Sequence, residues 1–352
     1  MHAASQHGPR PLPLFLDILW RETADDSMLR SKAFAGLRRY QTTQRPKPAP
    51  PAPVKATVGS AQLLHYGTEN RRPRRSAVVF VPSLINPPAV LDLSAGRSLL
   101  RYLAEQGHDP WLIDWGTPCL NDRTLDLTGH ILDRLLPLID ATGNKSPVLV
   151  GYCLGGTLTL AAAMLRPCSG VATIAAPWSF SGFPASDRAE IARLWAQAKP
   201  VCEKLGYVPM EVLQTGFWAL DPKRTIRKFA EFADIETGTE AEQAFLALED
   251  WANAGPPLTY AAAQELFEQL YNGDLTGQGG WTIGGRQIDP KTIACPTLSV
   301  RSSRDRIVPI EAAPTLAENW TVAAGHVGMV VGSRAQETLW ARLGQWLASV
   351  GA

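Results

Sequence analysis

The 352-residue chain has no charge excess: 34 Lys and Arg stand against 33 Asp and Glu, a formal net charge of +1. That removes the electrostatic reason to expect nucleic acid or a strongly charged partner. Cysteine is scarce, at Cys119, Cys153, Cys168, Cys202 and Cys295. The five are odd in number, form no C-x-x-C pair and share no cluster with histidine at metal-ligand spacing. A disulfide scaffold and a zinc module are therefore excluded, no metal is expected, and a reducing compartment fits. No apolar run is long enough to span a bilayer. The greasiest early segment, residues 11–20, is short, is broken by Pro13 and Asp17, and has neither a basic start nor a small-residue cleavage site. It does not read as a signal peptide. A cytoplasmic protein with no membrane span is expected.

What remains is an ordinary globular composition, 45% apolar and 19% charged, in a chain long enough for two domains or one with a large insertion. Residues 14–40 have the pattern of an amphipathic helix, with Leu16, Leu19 and Trp20 on one side and Met28, Leu29 and Phe34 further on. Residues 45–53 follow as a polyproline-type linker. An amino-terminal arm over 1–55 is thus separated from the body. The basic run from Arg71 to Arg75 reads equally as a solvated turn between strands or a phosphate-attracting patch.

From residue 76 short apolar strands alternate with helical patterns. Ser76–Pro82, Pro110–Trp115, Pro147–Val150 and Val171–Ala176 read as strands, and 97–107 and 125–139 as helices. That alternation specifies an α/β fold, a mostly parallel sheet with helices on both faces. Between Trp178 and about Gln287 the alternation stops and the sequence becomes helical and aromatic-rich. This stretch is expected to be a helical cap inserted over the carboxyl edge of the sheet, one that excludes water and forms an apolar pocket. The α/β pattern resumes at 288–352, with a strand at Cys295–Arg301, a glycine-flanked loop at 325–330 and a closing helix at 335–350. The body is thus divided into 56–177, 178–287 and 288–352.

The chemistry gathers at Gly151-Tyr152-Cys153-Leu154-Gly155-Gly156, between a strand and a helix. Glycines two before and two after a nucleophile are the frame of the α/β-hydrolase elbow, here with a thiol instead of a hydroxyl. The turn raises the sulfur to the sheet edge and sets it at a helix N-terminus, which favours a thiolate. A lone cysteine in an apolar run is more often inert core, but a core role needs no paired glycines. In this fold the triad runs nucleophile, acid, histidine. Cys153, Asp305 and His326 satisfy that order. His2 and His7 lie at the start, and His65, His108 and His130 all precede the nucleophile. His326 is expected to accept the thiol proton and Asp305 to hold its other ring nitrogen. The oxyanion hole is expected to use the backbone N–H of Leu154 and, from the loop after the first central strand, that of Leu84.

With these residues in view, the chain from about residue 76 onward resembles the polyhydroxyalkanoate synthases, cysteine-dependent relatives of the α/β-hydrolases. The resemblance is carried by 151–156 (the G-x-C-x-G-G box), Leu84-Ile85-Asn86 with Leu91-Asp92-Leu93, Gly107-His108 with 112–116, Asp305 to Pro309, and Gly325-His326-Val327-Gly328. The box alone is shared with dienelactone hydrolases; the ordered set is specific. The length and the segments at 97–100 and 112–116 are most similar to the short synthases that work with a second subunit. The resemblance implies polymerisation of 3-hydroxyacyl-CoA to polyester, a catalytic cysteine at Cys153, a general base at His326, and an aspartate at Asp305 that helps activate the incoming hydroxyl. It further implies a partner subunit, a homodimer and association with polymer granules, with CoA thioester as substrate and no cofactor. The rival expectations are a cysteine-dependent thioesterase or polyester/lactone hydrolase, and a non-catalytic granule-binding homologue. Pro87-Pro88 stands where the family commonly carries an aromatic pair, and the tyrosine and asparagine near 271–275 are spaced differently from the usual Tyr-x-x-Asn.

Overall fold

Ala77–Val81 contains no polar side chain, so it is stable as a strand only where both faces are covered. In the computed structural model, which describes residues 8–45, 50–67 and 76–351, all five of its residues are buried. It is β3 of an eight-stranded sheet. The other strands are β1 (Val54–Val58), β2 (Ala61–His65), β4 (Asp109–Asp114), β5 (Val148–Tyr152), β6 (Gly170–Ile174), β7 (Thr297–Ser302) and β8 (Glu318–Val322). Their spatial order is β1-β2-β4-β3-β5-β6-β7-β8. From β4 to β8 every neighbouring pair is parallel, and β1 and β2 add an antiparallel edge. The mostly parallel α/β sheet expected from the sequence is present.

Residues 50–208 and 256–352 make up the unit that contains this sheet. The elbow strand β5 and its neighbour β6 are wholly buried. α4 (Leu154–Leu165) follows β5 directly, after α3 (Leu99–Glu105) earlier in the chain, and its small residues let it lie close on the sheet. The same unit holds α5 (Ala185–Leu205) and a helical stretch over 260–272. Buried Glu265 fastens that stretch: it accepts from the Leu127 N–H at 2.9 Å and the Trp281 indole at 3.0 Å.

Residues 1–49 and 209–255 form the second unit. The division by contact therefore cuts through the expected 178–287 insertion and joins its middle to the arm. The single arm helix expected over 14–40 is two helices, α1 (Leu12–Glu22) and α2 (Ser27–Thr42). Thr23 ends the first by bonding its N–H and hydroxyl to the Leu19 carbonyl. Asp26 starts the second by accepting the Leu29 N–H at 2.8 Å, the N-cap role for which aspartate is preferred. These helices bury Phe15, Leu19 and Tyr40 against Phe229 and Phe232 of α7 (Pro222–Ala233), with α6 (Met210–Leu220) and α8 (Glu240–Ala252) contributing Trp218 and Leu246. Aromatic edges meet faces there, Phe15 to Phe229 at 4.9 Å.

Strands β1, β2 and β8 went unread in the sequence. β1 is a mostly exposed edge strand, β2 beside it mixes buried Ala61 and Leu63 with partly buried Gln62, Leu64 and His65, and β8 is a polar edge strand with exposed Glu318 and Thr321. Edge strands carry weak apolar patterning because one side faces water. The linker residues 46–49, the basic run 71–75, and His2 and His7 lie outside the described residues. Among the described residues no helix is long and apolar enough to cross a membrane.

Gly36 sets how closely α2 approaches α7: an added Cβ would stand 1.8 Å from the Phe229 carbonyl oxygen. Backbone cannot rotate aside as a side chain can. Gly36→Ala should therefore lower the stability of the full chain by about 1–3 kcal/mol, through forced separation of the two helices. A urea midpoint equal to that of the parent would contradict this account of the packing.

Candidate active site

The site is built first by collision. A Cβ on Gly151 would lie 2.3 Å from the Gly156 Cα, one on Gly155 would lie 2.2 Å from the Val81 carbonyl oxygen, and one on Gly156 would lie 2.3 Å from the Ala176 Cβ. Three glycines thus allow β5, α4 and β3 to meet at one corner. Between them Cys153 takes φ 55° and ψ −134°, a positive φ that costs an L-residue on the order of 1–3 kcal/mol. The corner is locked by the Cys153 N–H on the Ile174 carbonyl at 2.9 Å, the Gly156 N–H on the Cys153 carbonyl at 2.8 Å, and the Thr157 hydroxyl on the Pro177 carbonyl at 2.6 Å. The side chain of Cys153 consequently projects at the N-terminus of α4, where first-turn N–H groups have no intrahelical acceptor.

Asp305 follows β7 in a turn that it organises itself. Its Oδ1 accepts the Ile307 and Val308 N–H groups at 2.7 and 2.9 Å. This leaves Oδ2 to accept from His326 Nδ1 at 2.6 Å. The Asp305 side chain has no solvent exposure and that of His326 only 7%. With Nδ1–H committed to the carboxylate, Nε2 is the nitrogen left for sulfur, and the Cys153 sulfur is near enough to act on the imidazole. Burial alone lowers the basicity of His326. The Asp305 carboxylate, the Cys153 sulfur charge and the hydrogen bonds to both outweigh it and push the pKa up to about 10. The group therefore favours the imidazolium form.

Cys153, Asp305 and His326, chosen from chain order, stand together within one unit. Leu154 is the first residue of α4. Leu84 is buried in the loop after β3, where the Trp115 indole donates to the Pro82 carbonyl at 3.0 Å and the Ile85 N–H to the Ser83 hydroxyl at 3.2 Å. His65 and His130 are engaged elsewhere, with Asp109 at 2.7 Å and with the Asp126 carbonyl at 2.7 Å. Among the described residues no group of three or more His, Cys, Asp or Glu could hold a metal.

Two tyrosines were given no place in the site by the sequence analysis. The Tyr152 ring lies 5.3 Å from that of His326 and its hydroxyl donates to the His326 carbonyl at 3.5 Å. Its place beside Cys153 was the available signal. Tyr271 packs its ring on Phe180 at 4.8 Å and Phe183 at 5.1 Å. Burial, then the charges of Cys153 and Asp305, raise the pKa of both phenols, so both stay neutral donors. In the sequence Tyr271 was marked only by its altered spacing from asparagine, which assigns it no place in the site. Asp274, three residues on, fixes it by accepting the Phe180 N–H at 2.6 Å.

A family model described as the alpha/beta hydrolase fold matches residues 77–327, more than half of the chain. A poly(3-hydroxyalkanoate) polymerase subunit of Haloferax mediterranei is 28% identical over 96% of this chain and 72% of its own length. One of Allochromatium vinosum is 28% identical over 84% and 88%, and one of Synechocystis is 29% identical over 77% of each. Among solved structures, a carboxylesterase from Nitrososphaera gargenis superposes with a TM-score of 0.52 at 12% identity, covering 85% of this chain and 98% of that one. A lipase-like protein from Sulfolobus solfataricus superposes with a TM-score of 0.50 at 15% identity, over 84% and 97%. At such identities the superpositions speak for the fold alone.

The raised pKa of His326 makes stability depend on pH with a definite sign. In the unfolded chain the imidazole titrates near 6.5, and in the folded chain near 10. Its stabilising contribution is then complete below about pH 6.5 and is lost as pH rises through about 10. Asp305→Asn removes the leading favourable charge, so its urea midpoint should fall less steeply than the parent's between pH 7 and 10. Parallel slopes for the two proteins would show that Asp305 does not hold the proton on His326.

Proposed function

The chain belongs to the alpha/beta hydrolase fold family, and from that premise we propose that it is an acyltransferase which polymerises 3-hydroxyacyl-CoA into polyester with release of CoA. The observation that carries the proposal is a thiol in the nucleophile's place of this fold, joined to the Asp305–His326 pair. The polymerase subunits matched over most of the chain supply the substrate class.

In this reading Cys153 is the nucleophile. Its sulfur attacks the thioester carbonyl, and the N–H groups of Leu154 and Leu84 receive the developing oxyanion. The carbon–sulfur bond to CoA breaks, and the His326 imidazolium gives its proton to the leaving thiolate. Acylation erases the charge on Cys153, which is one of the causes that raise the His326 pKa. The now neutral imidazole is therefore a stronger candidate for a base than its resting state suggests. It takes the proton of the 3-hydroxyl of another 3-hydroxyacyl unit, whose oxygen attacks the acyl-cysteine; the acyl carbon–sulfur bond breaks, the ester forms, Cys153 leaves as thiolate, and Asp305 stabilises the imidazolium that returns. Exchange between thioesters is nearly isoenergetic, so a cysteine holds the growing chain without trapping it.

Water would divert the acyl-enzyme to free hydroxy acid. The aromatic segments of the same unit, 178–208 and 256–287, are the parts we assign to excluding it, with Tyr271, Phe180 and Phe183 packed as one cluster. The reading requires no cofactor, since the CoA thioester is the substrate. The relatives' names as polymerase subunits support a second subunit; a homodimer acting in the cytoplasm on polymer granules is part of the same proposal.

Purified protein supplied with 3-hydroxybutyryl-CoA tests this. CoA release with polymer as product is expected, and Cys153→Ala should slow CoA release by about 10³-fold or more. Free hydroxy acid as the sole product would make the chain a hydrolase, and no CoA release, with the candidate partner subunit present, would leave a binding protein. Normal CoA release by Cys153→Ala would remove Cys153 from the mechanism.

A further inference from the structure

Two cysteines that the catalytic chemistry does not use meet at the opposite end of the sheet from Cys153. Cys168 lies in the turn between α4 and β6, and Cys295 in the turn leading into β7. β6 and β7 are parallel neighbours in which Val171 pairs with Thr297. Extending that register places Cys168 one position before the partner of Cys295. Their sulfurs are 3.4 Å apart, and both residues are free thiols and partly exposed.

The frame around them is fixed on both sides. The Val171 N–H donates to the Pro296 carbonyl at 2.9 Å, the Ser169 N–H to the Pro147 carbonyl at 3.1 Å, and the Thr292 hydroxyl to the Met164 sulfur at 3.5 Å. Proline precedes Cys168 and follows Cys295, which further limits backbone freedom. Neighbouring strands about 4.8 Å apart put such residues within the Cα separation that a disulfide spans, and bringing sulfurs from 3.4 Å to about 2.05 Å asks only for side-chain rotation.

From this geometry we infer that Cys168 and Cys295 form a reversible redox pair, a modification site that closes to a disulfide when the surroundings turn oxidising. The two thiols are not equivalent. The two sulfurs share one hydrogen bond, in which either can be the donor, and the sharing favours the thiolate on Cys295 over that on Cys168. Cys295 is thus the attacking thiolate and Cys168 the resolving thiol. With a low-molecular-weight disulfide such as oxidised glutathione as the oxidant, Cys295 sulfur bonds to one glutathione sulfur and expels the other as a thiol. Cys168 then loses its proton, attacks the Cys295 sulfur, and releases the second glutathione. Two protein thiols are oxidised and one glutathione disulfide is reduced to two thiols. The bridge ties the amino ends of β6 and β7 and closes a covalent loop over 127 positions, which includes α5, 260–272 and all of residues 209–255. A loop of that size strongly restricts the unfolded chain.

The test uses the full-length chain carrying Cys153→Ala, so that the catalytic thiol cannot react. Incubation with oxidised glutathione should remove two thiols, and non-reducing peptide mapping should recover Cys168 joined to Cys295. The melting temperature should rise by about 5 °C or more and return on reduction. Adding Cys168→Ser should instead leave glutathione trapped on Cys295. If that double variant does not fold, mapping of the single variant decides alone. Stable glutathione on Cys295 with Cys168 present, bridges among other cysteines, or an unchanged thiol count would overturn the inference. A mapped bridge with an unmoved melting temperature would overturn the claimed constraint on the loop.

Discussion

The corner at Cys153 exists because three residues have no Cβ. Gly151, Gly155 and Gly156 permit approaches of 2.2–2.3 Å between a would-be Cβ and backbone or Ala176, and any side chain there would push α4 off β5 and β3. The same contact forces Cys153 into its positive φ. A strained residue persists only where its surroundings over-determine it. Here buried strands on both sides and three short hydrogen bonds do so. The rest of the site is measured from this corner, since the sulfur's position fixes where an imidazole must stand.

Asp305 joins architecture to electrostatics. One of its oxygens shapes the turn after β7 and the other holds His326. A carboxylate spent on its own turn and one that orients a base are therefore a single side chain. Because it is wholly shielded from water, its charge acts on the imidazole at full strength. The two neutral phenols of Tyr152 and Tyr271 add hydrogen-bonding capacity without adding a charge. This keeps the balance between sulfur, ring and carboxylate intact.

The second unit illustrates how a sequence boundary and a contact boundary diverge. Its helices come from opposite sides of a long stretch of chain, 1–49 and 209–255. Each segment alone has one apolar face and nothing to bury it against. Phe15, Leu19 and Tyr40 acquire a core only when Phe229 and Phe232 meet them, and Gly36 sets the distance at which they do.

The amino-acid sequence by itself determined the α/β alternation, the elbow and the order Cys153, Asp305, His326. Those features follow from local rules: continuous apolar runs demand a covered sheet, and paired glycines demand a tight turn. It did not disclose β1 and β8, whose exposed sides weaken the pattern, or the short β2 beside β1, nor the break at Thr23–Asp26, where one cap outweighs helical periodicity. Only the tertiary structure decided that Tyr271 packs on Phe180 and Phe183, that 1–49 belongs with 209–255, and that Cys168 meets Cys295 across 127 positions. Each of these is a meeting of segments distant along the chain. Which of many apolar or sulfur-bearing partners meet is set by how the whole sheet packs, and no local pattern encodes that.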